Sequence, residues 1–177
     1  QESMGLIKAT NIGAALSGQD AKDVADQLIA ISNGFRMNTS NAKELNDVVS
    51  KLTVADNKSA TSFKEIATAM QGSSNMAQSV KVDFNHLLSY ISTVSSTTRQ
   101  NASSIGSSFA AQFARYQNVK GGQKFDAENQ DLSNVERDLH KYADINLRSD
   151  SKTFKSYETV IDELSKKWSK LDEVSRA

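Results

Sequence analysis

Apolar residues in the first part of the chain occur in pairs four positions apart, and the pairs recur every 21 residues. The four segments that show this period open at Asp20, Asn41, Ser62 and Asp83. The paired apolar residues stand four and eight positions later: Val24 and Leu28, Leu45 and Val49, Ile66 and Met70, Leu87 and Ile91. A spacing of four places side chains on one face of an α-helix, so the pattern predicts four amphipathic helices. A looser fifth copy opens near Ser104 and carries Phe109 and Phe113.

The residues that open these segments are typical helix N-caps. Asp, Asn and Ser each carry a short side-chain oxygen that accepts hydrogen bonds from the unpaired N–H groups of a first helical turn. Asp23, Glu44 and Glu65 stand three positions after the first three caps, where a capping box has its acidic residue, whereas His86 takes that place in the fourth. We therefore predict helices of about 12–15 residues that begin at these caps. A further helix is predicted from Glu2 to Leu16.

The density of charge changes along the chain. Residues 1–117 hold 10 basic and 9 acidic side chains, whereas residues 118–177 hold 11 and 12. The change falls at a polar segment with a Gly-Gly pair, which favours a linker. We predict a multi-helical domain over 1–117, a linker over 118–130, and a helix–hairpin–helix subdomain over 131–177. The hairpin is expected within residues 145–156, followed by a helix that carries Trp168.

The predicted fold class is mainly α: a compact array of short antiparallel helices with a period of about 21 residues, plus a small C-terminal hairpin–helix subdomain. The chain of 177 residues has no proline to interrupt its helices and no cysteine for disulfides or thiolate metal sites. No apolar run reaches the roughly 20 residues of a membrane-spanning helix.

The composition offers little for catalysis or cofactor binding. The 21 basic and 21 acidic residues cancel, which argues against a general nucleic-acid binder. His86 and His140 are far apart in the sequence, and no catalytic or nucleotide-binding motif occurs. We expect no catalytic, cofactor or metal site, and we expect that the protein is not an enzyme.

The region from Phe84 to Ala114 is unusually poor in charge, with Arg99 as its one charged residue. Eleven of the 20 residues from Ser89 to Ser108 are Ser or Thr. Two interpretations remain open: a helix pair buried within the monomer, or a surface that contacts another subunit, because charge is depleted at the centre of contact surfaces. The candidate interaction surface consists of Ser92, Ser96, Ser104, Ser107, Phe109 and Phe113.

Taken in order, several segments resemble the phage tail tape measure protein family. The matching segments are GQDAKDVADQLIAISNGFRMN, NAKELNDVVSKLTVADNKSATSFKEIATAM, SSFAAQFARYQNV and NVERDLHKYADINLRSDSKTFKSYETVIDELSKKWSKLDEVSRA. The resemblance lies in the order and spacing of the whole set. The serine-rich helix and the SSNMAQSVKV link depart from the family, which is usually richer in alanine and glycine there.

The resemblance implies a structural segment of a much longer protein of the virion tail, synthesised in the bacterial host cytoplasm. It implies roles in tail assembly, tail length determination and genome delivery. The partners it implies are the tail tube protein, a tail assembly chaperone and other tape measure copies, with no specific nucleic acid and with membrane contact only during genome delivery. A segment that folds back about every 21 residues favours an organising or anchoring role over that of an extended ruler.

Two other classes of protein remain as alternatives. Helical membrane-active proteins, either pore-forming or exported, can also lack cysteine and be rich in small residues, and binding to liposomes would favour them. A cell-wall hydrolase would release fragments from peptidoglycan, although the absence of cysteine and the scattered histidines disfavour it.

Overall fold

A computed structural model describes residues 2–120, 131–150 and 153–176, and these are mainly helical, as the sequence predicts. The helices of the first half are α1 (Glu2–Ser17), α2 (Ala21–Gly34), α3 (Ala42–Lys58), α4 (Phe63–Ser79), α5 (Phe84–Thr98) and α6 (Ala102–Lys120). The later elements are α7 (Asp131–Ala143), β1 (Arg148–Asp150), β2 (Thr153–Phe154), α8 (Tyr157–Trp168) and α9 (Glu173–Arg176).

The chain divides into two compact units. Unit 1 comprises residues 1–79 and 83–111, and unit 2 comprises residues 80–82 and 112–177. The division between Ala111 and Gln112 falls inside α6, whereas the sequence predicted a domain boundary after residue 117. The predicted linker overlaps the end of α6 at residues 118–120, and the rest of it, with the Gly-Gly pair, lies outside the described residues.

The helices of unit 1 begin where the 21-residue period places them. Asp20, Asn41 and Asp83 are the N-cap residues of α2, α3 and α5, and α4 begins directly after Ser62. Helix α6 begins at Ala102, two residues before the looser fifth start at Ser104. The period therefore corresponds to real helix starts.

One capping box, Ser62–Glu65, forms completely. At Asn41 only the bonds from the first turn to the cap form, because Glu44 accepts from the Asn38 N–H and from the Asn41 side chain. Asn41 accepts hydrogen bonds from the backbone N–H groups of Lys43 and Glu44 at 3.0 and 3.4 Å. In the Ser62–Glu65 box the Glu65 N–H donates to Ser62 Oγ at 3.3 Å, and the Ser62 N–H donates back to Glu65 Oε2 at 3.0 Å. Asp20 makes no side-chain capping bond, although α2 begins beside it. The period thus places helix starts more reliably than it places capping bonds.

The paired apolar residues form the core of unit 1. Val24, Leu28, Leu45, Val49, Ile66, Met70, Leu87 and Ile91 are all at most 1% exposed. These residues lie where α2 packs against α4, α1 against α3, and α5 against α4. The i, i+4 stripes are therefore the faces through which the repeated helices contact one another.

Unit 2 contains the predicted hairpin and the helix that follows it. Strands β1 and β2 pair antiparallel, with Arg148 opposite Phe154 and Asp150 opposite Thr153. The backbone of residues 80–82 joins this unit, because the Tyr157 N–H donates to the Val80 carbonyl at 3.1 Å. Ile145, Leu147 and Val160 are at most 5% exposed and contribute to the core of unit 2.

Candidate interaction surface

The six candidate surface residues differ in exposure and do not form one patch. On α5, Ser96 is exposed and Ser92 is half-buried; on α6, Ser104 and Ser107 are exposed. Phe109 is half-buried, and its ring stacks on that of Tyr90 with the centroids 5.9 Å apart. Phe109 therefore contributes to the packing of α5 on α6 within unit 1.

Phe113 lies in unit 2 and is fully buried, so it is not available to a partner on the surface of that unit. Its ring meets that of Tyr157 edge to face, with the centroids 5.0 Å apart. The Tyr116 ring packs on Tyr157 in the same way, and the Tyr116 hydroxyl donates to the Lys155 carbonyl at 2.9 Å. Burial raises the pKa of Tyr116 to about 12, and the nearby carboxylates of Glu136 and Glu163 add to the shift.

The charge-poor region has one buried and one exposed face, so burial within the monomer describes one face, and contact of the other face with a second subunit stays a prediction. Leu87, Ile91 and Ile105 are at most 2% exposed and belong to the core of unit 1. Several of the hydroxyl groups make hydrogen bonds within the protein. Thr97 and Thr98 donate to backbone carbonyls four residues earlier in α5, and Thr61 donates to Ser95 in the interior. The outward face of α5 keeps exposed Ser and Thr side chains and carries no charged residue.

An open groove of about 660 Å³ runs between α3 and α5 in unit 1. The α3 wall consists of Ser50, Lys51, Val54, Ala55, Lys58 and Ser59, and the α5 wall of Asn85, Leu88, Ser89, Ser92, Thr93, Ser96 and Thr97. Among these lining residues there are two lysines and no carboxylate. The groove, called the α3/α5 groove below, is thus a mainly uncharged channel with a basic rim on one side.

Two candidate residues, Ser92 and Ser96, line this groove, whereas Ser104, Ser107 and Phe109 do not. Sequence reasoning missed the α3 wall. Val54 is 48% exposed and lies off the buried stripe of α3, and because single exposed apolar residues are common, it carried no signal of its own in the sequence. Pairing α3 with α5 needs the tertiary structure, because residues 60–84, which include all of α4, lie between the two walls in the sequence.

Exposed apolar side chains also lie on α1 and in unit 2. Met4, Ile7, Ile12 and Leu16 of α1 are between 46% and 59% exposed. In unit 2, Trp168 and Tyr142 are each 46% exposed and line a cleft of about 350 Å³ between α7 and the C-terminal helices. Surfaces of this kind bind partners through shape and apolar contact.

His86 has a structural role at the start of α5. The Asp83 carboxylate accepts the backbone N–H of His86 at 2.9 Å, and His86 Nδ1 lies 3.2 Å from the same oxygen. Burial raises the pKa of Asp83, but its hydrogen bonds to His86 outweigh that effect and the pKa is lowered overall. The pair therefore caps α5.

The described residues define a mainly helical fold with a small two-stranded hairpin. The family model of phage-related minor tail proteins matches residues 1–177, so the chain belongs to that family and is a component of the phage tail. Comparison with curated proteins and with solved structures gives no match. Among the described helices, none has the length and apolar character that a membrane crossing requires.

Proposed function

We propose that the chain is a helical segment of a tail tape measure protein, with a structural role in tail assembly and in tail length determination. Membership of the minor tail protein family supports this proposal, and so does the resemblance of the ordered helices and hairpin to tape measure proteins. The role is structural and not enzymatic. The segment is synthesised in the host cytoplasm and carried in the virion tail.

The observation that carries this proposal is the folding back of the chain every 21 residues. A continuous helix of 177 residues would span about 265 Å at about 1.5 Å per residue. Helices α2 to α5 are instead 14 to 17 residues long and pack against one another within unit 1. This segment therefore contributes to length determination by organising or anchoring the tape measure, and not by acting as an extended ruler.

The expected partners are the tail tube protein, a tail assembly chaperone and other copies of the tape measure. The α3/α5 groove and the apolar faces of α1 and unit 2 are surfaces on which such partners can dock. Because these surfaces differ in shape and charge, they would allow the segment to bind a chaperone first and the tail tube protein later. Release of the segment during genome delivery is part of the same proposal.

Cross-linking and mass spectrometry of purified virions test this function. We expect peptides of the segment in the tail fraction, cross-linked through exposed lysines such as Lys8 and Lys43 to the tail tube protein. The complete reading frame should also be several times longer than 177 residues. A protein confined to the infected cell and absent from virions would overturn the proposal.

A second candidate function, membrane activity, is favoured by the exposed apolar side chains of α1. Four large apolar residues of α1, between 46% and 59% exposed, would supply the apolar contact that binding to a lipid surface needs. Leakage of a dye from anionic liposomes measures this activity. Leakage that disappears when Ile7 and Leu16 are replaced by Ser would support it, and intact liposomes would exclude it for the isolated chain.

A further inference from the structure

The α3/α5 groove has the dimensions of a helix-binding site. Its α5 wall runs from Asn85 to Thr97, which corresponds to about 18 Å at about 1.5 Å per residue. A guest helix of about three turns would lie along it, because helices pack by placing ridges of side chains into grooves. The serines and threonines of the α5 wall are small, so they permit a close approach.

Val54 and Leu88 are the large apolar residues of the groove, and a guest would make its main apolar contact with them. Val54 in the α3 wall is 48% exposed, and Leu88 in the α5 wall is 9% exposed. Ser92 lies in the same wall, and its hydroxyl is buried with no hydrogen-bond partner among the described residues. A guest with an apolar stripe would cover these side chains and exclude water from them.

The two lysines that line the groove determine which charge a bound helix should carry. Lys51 is paired with Asp47 at 2.8 Å and also lies 5.6 Å from the centre of the Phe84 ring. Within the described part of the chain, Lys58 has no carboxylate partner. The groove lining contains no Asp or Glu to repel an acidic guest. Rim charges of one sign favour a partner of the opposite sign.

We propose that the α3/α5 groove docks an amphipathic helix of another tail protein, one whose apolar stripe is bordered by Asp or Glu on the side facing Lys51 and Lys58. This inference rests on the proposed function and names the kind of partner that the segment would bind. The apolar stripe would cover Val54 and Leu88, and a carboxylate would pair with Lys58, because Lys51 is already paired with Asp47. The uncharged α5 wall would receive the opposite flank of the guest.

Two synthetic peptides of 16 residues provide the probe. They share a leucine stripe at helical spacing and differ only in the flanking residues, which are Glu in one and Lys in the other. Fluorescence anisotropy of labelled peptides against the full 177-residue chain at low salt gives both affinities. We expect the Glu-flanked peptide to bind at least about threefold more tightly, because exposed ion pairs contribute modestly.

Matched variants locate the site. Ser92→Lys places a long charged side chain in the groove and should weaken binding of the Glu-flanked peptide at least about tenfold. Ser107→Lys makes the same change on α6, outside the groove, and should leave binding unchanged. Lys58→Glu should abolish the preference for the Glu-flanked peptide, whereas Lys43→Glu, near the other end of α3, should preserve it. Circular dichroism and thermal midpoints confirm that each variant is folded.

Several results would overturn the inference. The inference is wrong if neither peptide binds, if both bind with equal affinity, or if binding of the Glu-flanked peptide survives Ser92→Lys. Sedimentation tests whether a second copy of the chain occupies the groove instead. That result requires that the chain self-associates, that Ser92→Lys makes it monomeric, and that the Glu-flanked peptide does not disrupt the self-association. None of these results bears on the presence of the segment in virions, so the proposed function is tested separately.

Discussion

Gly106 of α6 lies directly against Ala69 of α4, so close that a Cβ atom on Gly106 would stand 2.5 Å from the Ala69 carbonyl oxygen. The carbonyl oxygen belongs to the backbone of α4, so it cannot move away by a change of rotamer. Gly34 of α2 faces Ser74 of α4 in a similarly tight contact. The helices of unit 1 therefore approach one another at positions where side chains are absent or very small.

Replacing Gly106 by Ala should destabilise unit 1 by about 1–3 kcal/mol, the usual cost of overpacking a core. Gly72 of α4 provides the matched control, because a Cβ atom there would meet nothing within 4 Å. Gly72→Ala should stabilise the protein by about 0.5–1 kcal/mol, since alanine loses less backbone freedom in a helix. Urea unfolding measures both changes. Equal effects at the two positions would contradict this description of the helix contact.

The helix caps differ in their contribution to stability. Asn41→Ala and Ser62→Ala should each lower the free energy of unfolding by about 1 kcal/mol, because each removes side-chain acceptors of backbone N–H groups. Asp20→Ala should have a smaller effect, because Asp20 makes no side-chain capping bond. Thermal unfolding of the three variants checks the order. If Asp20→Ala lowers the thermal midpoint as much as the other two substitutions do, the side-chain capping bonds are not what sets the contribution of these residues to stability.

The Ser62–Glu65 capping box should make stability depend on pH. Hydrogen bonds from the Ser62 side chain and backbone lower the pKa of Glu65 below its ordinary value of 4.5. The carboxylate therefore stabilises the folded state above about pH 4.5, and this contribution is lost as the pH falls through the lowered folded-state pKa. The difference in thermal midpoint between the wild type and Glu65→Gln should shrink from pH 7 to pH 3. A difference that stays constant over this range would contradict the assignment.

Tyr116 should make unit 2 sensitive to high pH. Its folded-state pKa of about 12 lies above the ordinary value of 10.0, so its stabilising effect is complete below pH 10 and is lost as the pH rises from 10 to 12. Tyr116→Phe should remove this part of the alkaline sensitivity. At neutral pH it should cost about 1 kcal/mol through loss of the bond to the Lys155 carbonyl. Tyr142→Phe, at an exposed site, is the control and should change neither quantity.

The repeated helices could be predicted because their information is local. A cap such as Asn41 and an apolar pair such as Leu45 and Val49 both lie within one helix, so the sequence contains the whole signal. The hairpin lies within the predicted residues 145–156, but β1 begins at Arg148, after Ile145 and Leu147, so the alternation of those two residues marked the core of unit 2 and not the strand. Helix starts and core faces in unit 1 therefore followed from spacing alone.

The surface could be predicted only in part, because it depends on packing between distant segments. Ser92 and Ser96 were recognised from the absence of charge in α5. Lys58 and Val54 complete the groove from α3, and no local pattern connects the two helices. Phe113 illustrates the converse problem: its spacing from Phe109 places both on one helix face, but Phe113 belongs to unit 2, where it is buried.

Electron microscopy of phage tails tests the central claim most directly. The codons for this segment are deleted in frame from the phage that encodes it, and the lengths of the assembled tails are measured. If the segment organises or anchors the tape measure, tails of defined length should be absent and should return when the segment is restored. Uniform, infectious tails shortened by about 265 Å, the length of 177 residues as one continuous helix, would contradict the account, because the segment would then be part of the ruler itself.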